Sequence, residues 1–78
     1  MPTVLRIEAY RFHFYSDENK EPPHIHVAHS DGECKFWLEP VMLASNINLH
    51  PHTVRIIERL VFENKDLLIK KYREYHVY

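Results

Sequence analysis

The sequence predicts an α+β fold, a four-stranded antiparallel β-meander followed by a C-terminal helix packed on one face of the sheet. Three observations carry this reading. Residues 1–40 alternate apolar and polar side chains in pairs, the signature of half-buried strands. Residues 49–76 repeat apolar side chains at helical spacing instead. A chain of 78 residues, 45 % of them hydrophobic and only one of them Gly, holds one thin two-layer core and no more. The chain is therefore read as a single domain over 1–78, with the meander over 3–40 and the helical part over 48–76.

In the first hairpin, Leu5 and Ile7 alternate with Arg6 and Glu8, and Tyr10, Phe12 and Phe14 with Arg11, His13 and Tyr15. A turn at Glu8-Ala9 pairs Ile7 with Tyr10, Arg6 with Arg11, Leu5 with Phe12 and Val4 with His13. The segment from Ser16 to Pro23 is polar and ends in two prolines, so it is a loop that feeds an extended strand. Around Asp31-Gly32 the chain alternates again, and Asp-Gly between two such runs is a strong hairpin signal. With those residues as the loop, Ile25 faces Leu38, Val27 faces Phe36 and His29 faces Cys34 on the core side. On the other side His24 faces Glu39, His26 faces Trp37 and Ala28 faces Lys35.

Pro40 is expected to stop the fourth strand, which leaves Val41 to Ile47 as a connector with one helical turn at most. Asn48 or His50 then caps a helix that carries Pro51 in its first turn. Val54, Ile57, Val61, Leu68, Tyr72 and Tyr75 form its apolar stripe, flanked by Ile56, Leu60 and Leu67. Asn64-Lys65-Asp66 interrupts the stripe, so the helix is either one long element or two with a kink. The stripe is the surface that covers the core side of the sheet.

Composition removes several functions. The longest apolar run is the four residues from Val41 to Ala44, far below the ~20 needed to span a bilayer. The N-terminus lacks the basic and apolar regions of a secretion signal. With Cys34 alone there is no intrachain disulfide, so a reducing, cytoplasmic setting is expected. A net charge of −1 argues against nucleic-acid binding by bulk charge. No Gly-rich phosphate loop, Ser-His-Asp set or Cys-His pair is present, and no cofactor motif. Seven histidines are the compositional outlier.

The alternation gathers Arg6, Arg11, His13, Tyr15, His24, His26, Lys35, Trp37 and Glu39 on the face that the helix leaves uncovered. A solvated face would carry Thr, Lys and Glu; this one carries three histidines, two arginines and two large aromatics. Opposed arginines cost stability unless an anion lies between them. A His24–Glu39 pair would orient and charge the imidazole, and Trp37 beside His26 offers a stacking surface. These groups suit an RNA backbone, a nucleobase or an acidic protein segment. His24 and His26 also share a face at a spacing that suits a metal ion, given a third ligand from His13 or Glu39. His50, His52 and His76 are expected to be solvated.

The runs Met1-Pro2-Thr3-Val4-Leu5-Arg6-Ile7, Tyr10-Arg11-Phe12, Glu21-Pro22-Pro23-His24-Ile25-His26-Val27, Asp31-Gly32-Glu33 and Phe36-Trp37-Leu38-Glu39-Pro40 resemble the bacterial domain-of-unknown-function family 4160. The resemblance covers essentially the whole chain. It implies a small stand-alone protein, often encoded beside a second small protein in an arrangement similar to toxin–antitoxin pairs. It also implies that His24, His26, Trp37 and Glu39 belong to the family signature. Ala9 departs from the turn Gly expected at that position.

Three readings follow. The first is a component of a toxin–antitoxin-like module that binds RNA or the protein encoded nearby. Its catalytic form is a metal-independent ribonuclease in which His24 or His26 moves the proton, Arg11 or Arg6 holds the phosphate and Glu39 orients His24. Arg6, His13, Tyr15, Lys35 and Trp37 line the binding face. The second is a non-enzymatic module that docks an acidic partner, and the third a small histidine-based metal binder. A homodimer through the edge strands stays open, and no membrane role is expected.

Overall fold

The computed structural model describes residues 3–15 and 20–76. The chain runs β1 (Thr3–Ile7), β2 (Tyr10–His13), β3 (His24–His29), β4 (Gly32–Leu38), β5 (Val41–Ile47), α1 (Pro51–Glu63) and α2 (Lys65–Tyr75). All strands lie in one antiparallel sheet in the order β1-β2-β3-β4-β5. The fold is thus α+β as expected, with five strands instead of four and the helix divided in two. The Ser16–Asn19 part of the expected loop lies outside the described residues.

The first hairpin pairs Ile7 with Tyr10, Arg6 with Arg11 and Leu5 with Phe12 around Glu8-Ala9, with Glu8 at φ 52°. A register shift then places Thr3, not Val4, opposite His13. In the β3–β4 hairpin, Ser30 adopts φ 55° and His29 lies opposite Gly32, so the loop residues are Ser30 and Asp31. Each β4 partner consequently moves by two positions. Ile25 faces Phe36, Val27 faces Cys34, His24 faces Trp37, His26 faces Lys35 and Ala28 faces Glu33. The expected His24–Glu39 and His26–Trp37 pairs do not form. A shift of two keeps every side chain on its face, so the division into core and outer sides survives the change.

Gly32 serves packing instead of the turn. A Cβ there would lie 2.6 Å from Leu49 Cδ2 and 2.7 Å from the carbonyl oxygens of Ile47 and Asn48. The end of β5 can cross this position only because no side chain occupies it.

Pro40 does not end the sheet. Glu39-Pro40, joined by a cis peptide bond, forms a two-residue turn, and Leu38 pairs with Val41 as the chain returns as β5. The expected connector is therefore an edge strand. It carries no charged residue and exposes Met42, Leu43 and Ile47.

α1 begins with Pro51 at its first position, where the missing N–H costs nothing, and the His50 ring accepts from the His52 N–H at 3.0 Å. It ends at Asn64, whose side-chain amide donates to the Leu60 carbonyl at 2.8 Å. The two helices bury Val54, Ile57, Val61, Leu68 and Tyr72 against Phe12, Phe14, Ile25, Val27, Cys34, Phe36 and Leu38 on one side of the sheet. Tyr75, expected in the same stripe, stays 38 % exposed and stacks on Phe14 at 5.8 Å. Among the described residues no helix is long and apolar enough to cross a membrane.

Candidate functional site

On the outer face, β2, β3 and β4 bring His13, His26 and Lys35 into one cross-strand row. The neighbouring row runs Arg6, Arg11, Ala28, Glu33 and Ile47, and on the other flank His24, Trp37 and Met42 lie side by side. Strand alternation alone does this, because each residue is separated from the next on its strand by one that points into the core.

Glu33 is the hub. Its Oε2 accepts the Tyr15 hydroxyl at 2.8 Å and lies 3.4 Å from His26 Nδ1, and its Oε1 lies 3.5 Å from His13 Nε2. The Tyr15 ring meets His26 edge-on at 4.4 Å and His13 at 5.1 Å. Neither ring nitrogen of His13 makes a hydrogen bond of proper geometry. Burial depresses the His13 pKa below 6.5, while the Glu33 carboxylate and the Arg11 carbonyl pull it up and His26 and the Arg11 charge push it down.

The face is not open at its histidines, contrary to the expectation that no element covers it. His13, His24 and His26 are 1 %, 1 % and 7 % exposed. His24 donates from Nδ1 to the Pro22 carbonyl at 2.8 Å, which fixes that tautomer because a carbonyl only accepts. Its ring lies 5.5 Å from Tyr72 of α2, whose hydroxyl donates to the Glu21 carbonyl at 3.0 Å. Lys35 pairs with the Glu21 carboxylate and stands 4.5 Å over the Trp37 ring.

Glu39, expected across from His24, is exposed in the β4–β5 turn and lies 3.6 Å from Arg73 of α2. There it borders an open groove of about 500 Å³ with Asp66, Ile69, Lys70, Arg73 and Glu74. The structure thus brings together His13, Tyr15, His26 and Lys35, keeps His24 and Trp37 beside them, and separates Glu39. Arg6 is exposed and Arg11 half-buried.

Sequence reasoning missed Glu33 as the carboxylate of the face. Its parity with Lys35 and Trp37 along β4 is the signal that places it on this face. His76, expected in solvent, is partly buried with its ring 4.1 Å from Tyr72. Among the described residues no group of three His, Cys, Asp or Glu side chains is placed to hold a metal ion. Cys34 is buried, and its thiol is pushed up to about 12 by burial and the nearby Glu33 charge. Such a thiol does not act as a nucleophile.

The family model described as Domain of unknown function (DUF4160) matches residues 9–73. No curated protein and no solved structure matches the chain.

Proposed function

Because the chain belongs to the DUF4160 family, whose description gives no activity, we propose a function from the sheet itself: a docking component of a two-protein, toxin–antitoxin-like module. Its partner protein sits on the outer face around Trp37. One observation carries this reading. The groups that would run acid–base chemistry are inside, whereas the half-buried Trp37 and the adjacent, 53 % exposed Met42 reach the surface. A large aromatic beside an exposed thioether, with the Lys35 ammonium 4.5 Å over its ring and Glu33 and Arg11 farther along the same face, has the composition of an interface centre with a polar rim.

The histidines then act as structure. His26 and His13 hold Glu33 and Tyr15 in place, and His24 ties the Pro22 segment to the sheet. The ribonuclease form of the reading would need His24 or His26 to meet a phosphate, and at 1 % and 7 % exposure neither does so without movement of Tyr15 or the Glu21–Pro23 segment.

Co-expression with the product of the neighbouring gene, followed by size-exclusion chromatography, tests the proposal. Wild type and His26→Gln should co-elute with that protein, and Trp37→Ala should weaken the complex ~30-fold or more. If no complex forms, while the chain alone arrests growth and cuts RNA in a His26-dependent way, the docking reading is overturned in favour of the nuclease.

A further inference from the structure

Arg6 and Arg11 are directly opposed across β1 and β2, and both point to the outer face. Among the described residues neither guanidinium has an ion-pair or hydrogen-bond partner. The other charged groups of the outer face have partners of their own. Lys35 pairs with Glu21, and Glu33, across Ala28 from Arg11, accepts from the Tyr15 hydroxyl and lies 3.4 Å from His26 Nδ1. Like charges directly opposed in an antiparallel pair destabilise it. Among the described residues no carboxylate lies within ion-pair distance of either guanidinium.

We propose that Arg6 and Arg11 form a carboxylate-recognition site for an extended acidic segment of the partner protein, which adds to the β1 edge. This rests on the docking reading and names the chemistry of its occupant. β1 is one of the two outer strands of the sheet, and among the described residues no strand pairs with its outer side, where an added strand would bind. Alternate side chains of such a strand stand on the outer face, next to Arg6. A carboxylate between the two guanidiniums relieves the repulsion and forms charge-assisted hydrogen bonds.

An RNA backbone fits less well. It needs cations in a line that follows the phosphates, whereas among the described residues this face offers one pair of cations without an ion-pair partner, side by side across β1 and β2. β5, the opposite edge, is uncharged and gives an acidic segment nothing to read.

The test is thermal unfolding of the full chain at low ionic strength, with synthetic hexaglutamate as the probe and hexauridylate as its counterpart. Without ligand, Arg6→Gln and Arg11→Gln should each melt roughly 2–4 °C above wild type. High salt should shrink that gap. Hexaglutamate should raise the wild-type Tm and bind each variant at least tenfold more weakly.

The proposal is overturned if both variants melt at or below wild type, if hexaglutamate shifts all three proteins equally, or if hexauridylate gives the larger shift. Its failure is separable from that of the docking reading. A Trp37-dependent complex with no response to hexaglutamate removes only the arginine site. An arginine-dependent response with no complex removes only the assignment of the partner.

Discussion

Gly32 and His13 show how single positions set the limits of this domain. Two of the three atoms that a Cβ on Gly32 would meet are backbone carbonyl oxygens, which cannot rotate aside as a side chain can. Gly32→Ala should therefore cost about 1–3 kcal/mol, seen as a lower denaturant midpoint at unchanged slope. His13 is buried without a proper hydrogen bond, and burial is the main cause that holds its pKa below the ordinary value.

The sign follows from proton counting. As pH falls below about 6.5 the unfolded chain takes up a proton on this residue and the native state does not. The stability contributed by neutral His13 is complete above that pH. It is lost on acidification down to the depressed native pKa, at up to ~1.4 kcal/mol per pH unit. Denaturant midpoints at pH 7.5, 6.5 and 5.5 should fall more steeply for wild type than for His13→Phe. Parallel curves would remove His13 as the cause.

At the scale of elements, the legible and illegible parts of the fold divide by what each residue is paired with. β1 to β4 were readable because each has one face in the core, and period-two alternation follows directly from that. β5 was not readable. Val41 to Ile47 is flanked on one side only, nearly all of it is exposed, and its sequence does not alternate. Pro40, read as a stop, is compatible with a turn because a turn residue needs no ladder hydrogen bond. The Asp31-Gly32 signal misplaced the loop by one residue because Gly32 answers to close approach by β5. That error moved Glu39 into the site and left Glu33 out of it. The faces stayed correct because the resulting shift was two.

An uncharged edge strand with Met42 and Ile47 exposed also lacks the charges by which edges usually avoid self-pairing. Ile47→Lys should reduce concentration-dependent association in sedimentation without lowering the unfolding free energy by more than ~0.5 kcal/mol. Association that is unchanged in the variant would mean that β5 is already protected by its shape.

For the molecule as a whole, the question is what joins the meander to the helices that follow it. Hairpin contacts are local, and α1 packs mainly on β4 and β5, which immediately precede it. The return to the first half of the sheet is made by α2, and Tyr72 is its centre. Its ring packs on Phe14 and His24 at 5.5 Å each, and its hydroxyl reaches the Glu21 carbonyl across 51 positions of sequence. The same residue closes the end of the core and holds the segment that covers His24 and engages Lys35.

A domain of this size has only ~4–12 kcal/mol of stability in total. Tyr72→Ala, at ~3–5 kcal/mol for an aromatic removed from a core, should take much of it, whereas Tyr72→Phe should cost only ~1 kcal/mol for the hydrogen bond. Hydrogen exchange separates the two effects. In Tyr72→Phe the amides of β3 and β4 should keep wild-type protection, except Leu38, whose N–H donates to the Pro23 carbonyl at 3.0 Å and depends on that segment staying down. Uniform loss of protection across the sheet would show that the hydroxyl supports the whole fold and not the cover over the histidines. Selective loss at Leu38 would make the Glu21–Pro23 segment the least stable part of the outer face, and hence the part whose movement sets whether His24 ever meets a ligand.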